Sequence, residues 1–274
     1  MIVGMRKWSR AELTAVAFLV IVLLLALLAP YVSRYGMDVI DLANRRAAPS
    51  PVHPFGTDEI GRDLLTRILF GARVSLAIGL VSAAISVAIG ITVGAVAGYL
   101  GGWIDEVLMR LTDALLSVPR LPLLMISAAV LNPGIPVLIV LVGAIGWMET
   151  ARVGRADVQS IRTLDFVAAA RALGCRARRV VLRHVLPGVA STVAVATTLA
   201  VGRGILLESA LSFFGVGVQP PAASWGNMLY QAQTTMASEP WLGIFPGAFI
   251  FATVLCCNVI GDALSSEGRR RVSS

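Results

Sequence analysis

Residues 163–187, TLDFVAAARALGCRARRVVLRHVLP, combine a short apolar periodicity with a dense run of arginines. Phe166, Ala169, Ala170 and Leu173 recur at i, i+3, i+4 and i+7, which is one face of a short helix. Arg162, Asp165 and Arg171 flank that face. Gly174 then permits a left-handed residue that ends the helix. A second helix carrying Arg176, Arg178, Arg179 and Arg183 leads to Pro187, which suits the start of the next helix. The work such a segment can do is mechanical: a rigid knob, faced with small alanines, fits a groove on another protein. A basic loop alone accounts for the arginines but not for the spacing Ala169-Ala170, Gly174, Leu186-Pro187.

Catalytic groupings are missing. A nucleotide-binding P-loop needs a lysine that reaches the phosphates, and the single lysine, Lys7, stands in no Gly-rich context. No Ser/His/Asp set and no carboxylate pair stands out. His53 and His184 are too few and too far apart for a metal site. Cys175, Cys256 and Cys257 form no disulfide framework and read as small apolar filler.

Two further segments carry unusual patterns. In 53–76, HPFGTDEIGRDLLTRILFGARVSL, Pro54 and Gly56 read as a turn, and Thr57 or Asp58 as the cap of a short helix. Ile60, Leu64, Leu65, Ile68 and Leu69 then form an apolar stripe opposite Arg62, Asp63 and Arg67, as expected of a helix lying in a membrane interface. The plain alternative is an amphipathic lead-in to the next helix. In 208–226, Glu208, Phe213, Gly215 and Gly217 precede Pro220-Pro221 and Ser224-Trp225-Gly226. The glycines and prolines break any helix there, so a lid or scoop is expected. Glu208, near a membrane boundary, has two readings of equal weight: a functional acid, or a cap or partner of Arg203.

The elements that position these motifs are apolar helices. The chain has 274 residues, 57% hydrophobic and 14% charged, with mean hydropathy +0.80. Soluble domains carry about 25% charged residues, and an apolar helix of about 20 residues spans a bilayer. Six spans are expected: Leu13–Val32, Val74–Leu100, Leu111–Leu131, Ile135–Met148, Gly188–Leu207 and Trp241–Ile260. Gly90, Gly94 and Gly98, with Ser82 and Ser86 extending their face, predict a tight helix–helix contact. Intramembrane charge is sparse: Asp113, Arg120 and Arg203.

Arginine placement sets the expected topology, because short Arg-rich segments stay in the cytoplasm. Arg6, Lys7 and Arg10, the loop from Arg152 to Arg183, and Arg269, Arg270 and Arg271 all fall on one side of a six-span chain. Residues 208–240 on the other side contain no Lys or Arg. Both termini are expected in the cytoplasm, and the net charge of +7 then reflects topology rather than nucleic-acid binding. The first span is longer than a signal-peptide h-region and reads as an uncleaved anchor. The expected organisation is residues 1–33 as the N-terminal end and first span, 34–73 as an outer loop, and 74–262 as a five-helix core. That core includes a cytoplasmic loop, 150–187, and an outer loop, 208–240; a basic tail, 263–274, follows it.

Ala169, Ala170, Gly174, Leu186 and Pro187 resemble the EAA loop of ABC-importer permeases, with Ala168 where that family has an acid. The runs His53-Pro54, Gly56-Thr57-Asp58, Gly61-Arg62-Asp63 and Gly71 to Leu76 resemble the signature of the peptide/nickel branch. Glu208-Ser209-Ala210-Leu211-Ser212-Phe213-Phe214-Gly215-Val216-Gly217 is similar to a second pattern of that branch, with Phe214 where leucine is common. An extra first helix and a long outer loop look like the C-type subunit of a heterodimeric pair. The resemblance implies an all-α permease of the type I importer fold in a bacterial inner membrane. It implies as partners a homologous B-type permease, two ABC ATPase subunits or domains that carry ATP and Mg, an extracytoplasmic solute-binding protein and the bilayer. No cofactor on this chain is implied. It further implies that Asp165, Phe166, Ala169, Ala170, Arg171 and Gly174 couple to an ATPase. The implied activity is import of di- or oligopeptides by alternating access, the alternative solutes being nickel complexes or other small molecules. A secondary transporter, with its own ion-binding groups and internal repeats, and a structural membrane subunit are the rival classes.

Overall fold

The computed structural model describes residues 8–131 and 134–272, without the side chains of His184 and residues 267–272. Arg6 and Lys7, and the side chains of His184, Arg269, Arg270 and Arg271, therefore lie outside the described residues. The described chain is helical apart from loops and one isolated bridge between Thr57 and Asp63. That outcome follows from the solvent: in hydrocarbon every backbone N–H and C=O needs a partner within its own segment.

Helix α1, Arg10–Leu27, starts at a capping box in which Glu12 N donates to Ser9 Oγ and Ser9 N donates to the Glu12 carboxylate. A compact loop, the one expected on the outer side, follows. Helix α2, Leu64–Leu100, has 37 residues, so at about 1.5 Å per residue it overshoots a bilayer core of about 30 Å. Helices α3, Gly102–Leu116, and α4, Arg120–Leu131, meet at an 80° bend. Helix α5 is Ile135–Arg162, and the short α6 is Asp165–Ala172. Single helical turns carry the chain through 177–188 to α7, Ala190–Phe213. The short α8, Trp225–Ala232, and the long α9, Trp241–Val272, complete the fold. Among the described residues five helices are long and apolar enough to cross a membrane, and a sixth span is reached only if the bent α3–α4 pair counts as one.

Helix α2 is the central post. A Cβ added at Gly90 would lie 2.7 Å from Trp147 O, at Gly94 2.6 Å from Ala151 O, and at Gly98 2.7 Å from Arg155 O. The three carbonyls are one turn apart on α5, so its backbone lies directly on the glycine stripe. The contact is reciprocal: Gly143 of α5 sits against Ser82 O and Ile85, and Gly146 against Ser86. Helix α7 crosses the same post where Gly204 meets Gly79, its added Cβ lying 3.2 Å from Gly79 Cα. Helices α1 and α9 close the far side, with Val22, Ala26, Ile250 and Cys257 in one apolar cluster with Leu76, Ala83 and Val87 of α2.

Five expectations need correction. No separate interfacial helix exists at 57–69. Gly61 takes φ +84, Thr57 and Asp58 bond within the loop, and Asp63 caps α2 directly by accepting Thr66 N at 2.8 Å. The stripe is not amphipathic either, since Arg67 is as buried as Ile68. The continuous third span over Leu111–Leu131 is broken, because Pro119 lacks the N–H a helix needs and disfavours helical geometry at Val118. The fourth span does not stop at Met148: α5 runs on to Arg162, and Arg152, Arg155 and Arg162 are helical residues rather than loop charges. The fifth span does not stop at Leu207, so Glu208 and Phe213 belong to α7 itself. Helix α9 likewise continues past Ile260 to Val272.

The glycine stripe yields a stability test. Gly94→Leu forces side-chain atoms into the α5 backbone, and overpacking of this kind costs about 1–3 kcal/mol or more. A lower midpoint of thermal unfolding in mild detergent is expected for it. Gly134→Ala, whose new methyl meets, among the described residues, only Pro136 Cδ at 3.8 Å, should leave the midpoint unchanged.

Candidate functional site

Three groups of side chains stand out: an outer block ahead of α2, a buried acid between α2 and α7, and the α6 knob at the opposite end.

In the outer block the Asp58 carboxylate accepts Arg62 N at 2.9 Å, Ile60 N at 3.1 Å and Arg62 Nε at 2.7 Å, and Arg67 Nε lies 3.6 Å away. Asp63 pairs with His53 Nδ1 at 2.9 Å while capping α2. Thr57 Oγ1 donates to Asn44 O and accepts Ala47 N at 2.8 Å. Gly56, at φ +83, lies against Ala47 O and the Trp241 indole. Gly61, at φ +84, lies against Asp41 O. Gly56, Thr57, Asp58, Gly61, Arg62 and Asp63 thus fold the outer loop onto the end of the post. Arg46 reaches Glu239 at 3.6 Å and joins this loop to the one before α9.

Glu208 is fully buried and is the hub of a serine cradle. Its carboxylate accepts Ser212 Oγ at 2.8 Å and Ser75 Oγ at 3.2 Å. Ser75 Oγ in turn accepts Trp225 N at 3.1 Å, and Ser212 Oγ accepts Val218 N at 3.0 Å. One carboxyl therefore ties α2, the end of α7 and the start of α8 together. Arg203 is not its partner. Gly215, at φ +79, ends α7 in a Schellman motif: Gly215 N donates to Ser212 O at 2.9 Å and Val216 N to Leu211 O at 3.0 Å. Gly217 packs on the Ser212 backbone, where a Cβ would lie 2.6 Å from Ser212 Cα. Phe213 is half-buried and meets Phe214 edge-on with centroids 5.7 Å apart.

Helix α6 has two faces. Val167 is fully buried and, with half-buried Ala170, packs on Tyr99, Val158, Val180 and Val185. Arg171 lays its guanidinium over the Tyr99 ring, 4.7 Å from the centroid. Asp165, Phe166, Ala169 and Leu173 face outward, Leu173 being 85% exposed. Of the apolar face read from the spacing, Ala170 alone turns inward. Gly174 takes φ +79 with open space around it, and repeats the Schellman closure: Gly174 N donates to Arg171 O at 2.9 Å, Cys175 N to Ala170 O at 3.1 Å. Below it, Arg155 binds Asp105 at 2.5 and 2.6 Å, and Arg162 donates to Tyr99 O at 3.0 Å.

One acid escaped the sequence reading. Glu149, at the midpoint of α5, accepts Arg120 Nη2 at 2.8 Å and also pairs with Arg203. Ending the fourth span at Met148 placed it outside the membrane. The small residues Gly143, Gly146, Thr150 and Gly154 continue a helical packing stripe past that point, and were the available signal.

Residues 90–272 match the family described as binding-protein-dependent transport system inner membrane component. The chain belongs to this family. It is 40% identical over 258 residues to the oligopeptide transport system permease protein OppC of Escherichia coli strain K12, covering 93% of this chain and 85% of that one. OppC of Bacillus subtilis strain 168 is 35% identical over 256 residues, covering 93% and 84%. The glutathione transport system permease protein GsiD of Shigella flexneri serotype 5b is 38% identical over 262 residues, covering 94% and 86%. Among solved structures, an inward-facing MetNI methionine ABC transporter matches with TM-score 0.58 and 18% identity, covering 73% of this chain and 97% of that chain. That likeness establishes the fold. The chain is a multi-pass membrane permease of an ABC importer, and ATP hydrolysis belongs to separate subunits.

The serine cradle makes the permease sensitive at Glu208. Glu208→Ala strands the Ser75 and Ser212 hydroxyls, and each buried group left unpaired costs about 1–3 kcal/mol. Glu208→Gln keeps an acceptor in place and should lose less. Thermal unfolding of the two purified variants in detergent measures the order expected: wild type, then Gln, then Ala.

Proposed function

We propose that this permease imports small peptides, from dipeptides to oligopeptides, by alternating access driven by two ATPase subunits that bind ATP and Mg. The peptide class is supported by the names of the OppC and GsiD relatives, which extend over more than nine-tenths of the chain. The other assembled parts are a homologous B-type permease and an extracytoplasmic solute-binding protein that delivers the solute. The chain lies in a bacterial inner membrane with both termini in the cytoplasm.

The observation that carries the coupling role is the two-faced α6. Val167 and Ala170 anchor the helix to α5 and the end of α2, while Phe166, Ala169 and Leu173 point away. A knob locked on one side and apolar on the other transmits a push without deforming. Asp165, Arg171 and Gly174 set its ends: the acid lies in the first turn, favourable to the helix dipole, the arginine clamps Tyr99, and the glycine closes the last turn.

Ala169→Trp is expected to insert and fold normally, because its side chain points outward. It should lower peptide uptake at least tenfold and weaken recovery of the ATPase subunits on purification from mild detergent. Wild-type uptake at wild-type membrane levels would remove the coupling assignment.

Orientation has its own test. In a background with Cys175, Cys256 and Cys257 replaced by alanine, single cysteines at Ala48 and Ala237 should react with an impermeant maleimide in intact cells. A cysteine at Ala177 should react only after permeabilisation. Labelling of the Ala177 site in sealed cells inverts the topology.

A further inference from the structure

A charged cluster lies midway along two of the candidate membrane spans. Arg203 lies near the middle of α7 and Glu149 at the midpoint of α5, with Arg120 opening α4 after the break at Pro119. Glu149 bridges both guanidinium groups, bonding Arg120 Nη2 at 2.8 Å and pairing with Arg203. Their side chains are not sealed off. Glu149 is 43% exposed and Arg203 37%. Charges within a span face a bundle interior or a water-filled space, not lipid. A cleft of about 390 Å³ opens on Glu149 and Arg203 and is edged by Thr150, Thr192 and Asn258.

Two features show that the cluster is incomplete as it stands. It holds two cations and one anion, a net charge of +1. Guanidinium groups have five N–H donors each, whereas Arg120 spends one on Glu149, and Arg203 uses Nη1 for Glu149 and Nε for Leu199 O at 3.4 Å. Beside them, Ser86 Oγ and Thr150 Oγ1 are buried, with relative exposures of 3% each, and have no hydrogen-bond partner among the described residues. Thr150 lines the cleft, and Ser86 lines a smaller one that reaches Arg120 and Arg203. The site therefore offers spare donors, an unbalanced positive charge and idle hydroxyls, with Arg203 shared by the two clefts.

We propose that Arg120, Glu149 and Arg203 form a transit site for the carboxylate of the solute, which for the peptide import proposed above is the C-terminal carboxylate. Guanidinium groups bind carboxylates through paired N–H donors. In the empty permease Glu149 occupies them. An arriving carboxylate shares Arg203 and Arg120 with Glu149, and the spare positive charge balances it. Departure of the solute returns both arginines to Glu149. A resident acid of the same chemistry keeps the hold brief, because the solute competes with a tethered rival. No covalent step is involved.

The test uses the intact importer complex in proteoliposomes with its binding protein and radiolabelled trialanine. Arg203→Gln should lower trialanine uptake about tenfold. Arg203→Lys, which keeps the charge, should retain at least a third of the uptake. In the solubilised wild-type complex, trialanine should slow modification of Arg203 by phenylglyoxal, read by mass spectrometry, and trialanine amide should not. Unchanged uptake by Arg203→Gln overturns the site. So does joint loss of uptake and ATPase activity in both Arg203 variants, which marks a packing role. Equal protection by acid and amide, or none by either, also overturns it. Failure of the wild-type complex to import trialanine counts against the peptide reading alone, and the protection assay then still decides whether the cluster binds a carboxylate.

Discussion

The fold depends on backbone-to-backbone contact between α2 and α5. Apolar side chains gain little from one another in lipid, so helices associate there through close packing. Gly90, Gly94 and Gly98 let the carbonyls of Trp147, Ala151 and Arg155 lie on the surface of the post. Gly143 and Gly146 return the contact further along. Everything at the two ends of the molecule is mounted on this pair. The outer loop closes over the start of α2, and the α6 knob rests on its end at Tyr99 and on α5 at Val158.

The two ends are built by the same local device for different purposes. Gly215 and Gly174 both take positive φ and both close a Schellman motif. At the outer end the closure turns α7 into a segment held by Ser212, Glu208 and Ser75. At the other end it stops α6 after two turns and leaves Leu173 exposed at its tip. The first end is tied inward by buried hydrogen bonds. The second keeps an apolar face outward, with Phe166 and Leu173 exposed.

Charge is distributed with the same economy. Arg155 and Arg162 look like cytoplasmic surplus in the sequence, yet one binds Asp105 and the other the carbonyls ending α2. Arg176, Arg178 and Arg179 stay exposed and carry the bias expected of a cytoplasmic segment. Arg120 and Arg203, two of the sparse intramembrane charges in the sequence, share one acid across three helices.

Hydropathy, proline, glycine and arginine are local signals, and they determined what local physics governs. The membrane class, the small-residue stripe on α2 and the turns at Gly174 and Gly215 were legible because each depends on residues within a few positions of one another. The tertiary structure decided the rest. Asp63 rather than Thr57 or Asp58 starts α2, because the loop consumes the other two. Arg67 is buried because the outer loop and α8 cover it. Helix α5 continues past Met148, and Glu149 there finds Arg120 and Arg203 on other helices. Glu208 pairs with serines rather than with Arg203 because α7 turns the two residues toward different neighbours. Spacing along a chain reports which residues share a face; whether a charge on that face is satisfied depends on residues brought to it from elsewhere in the sequence.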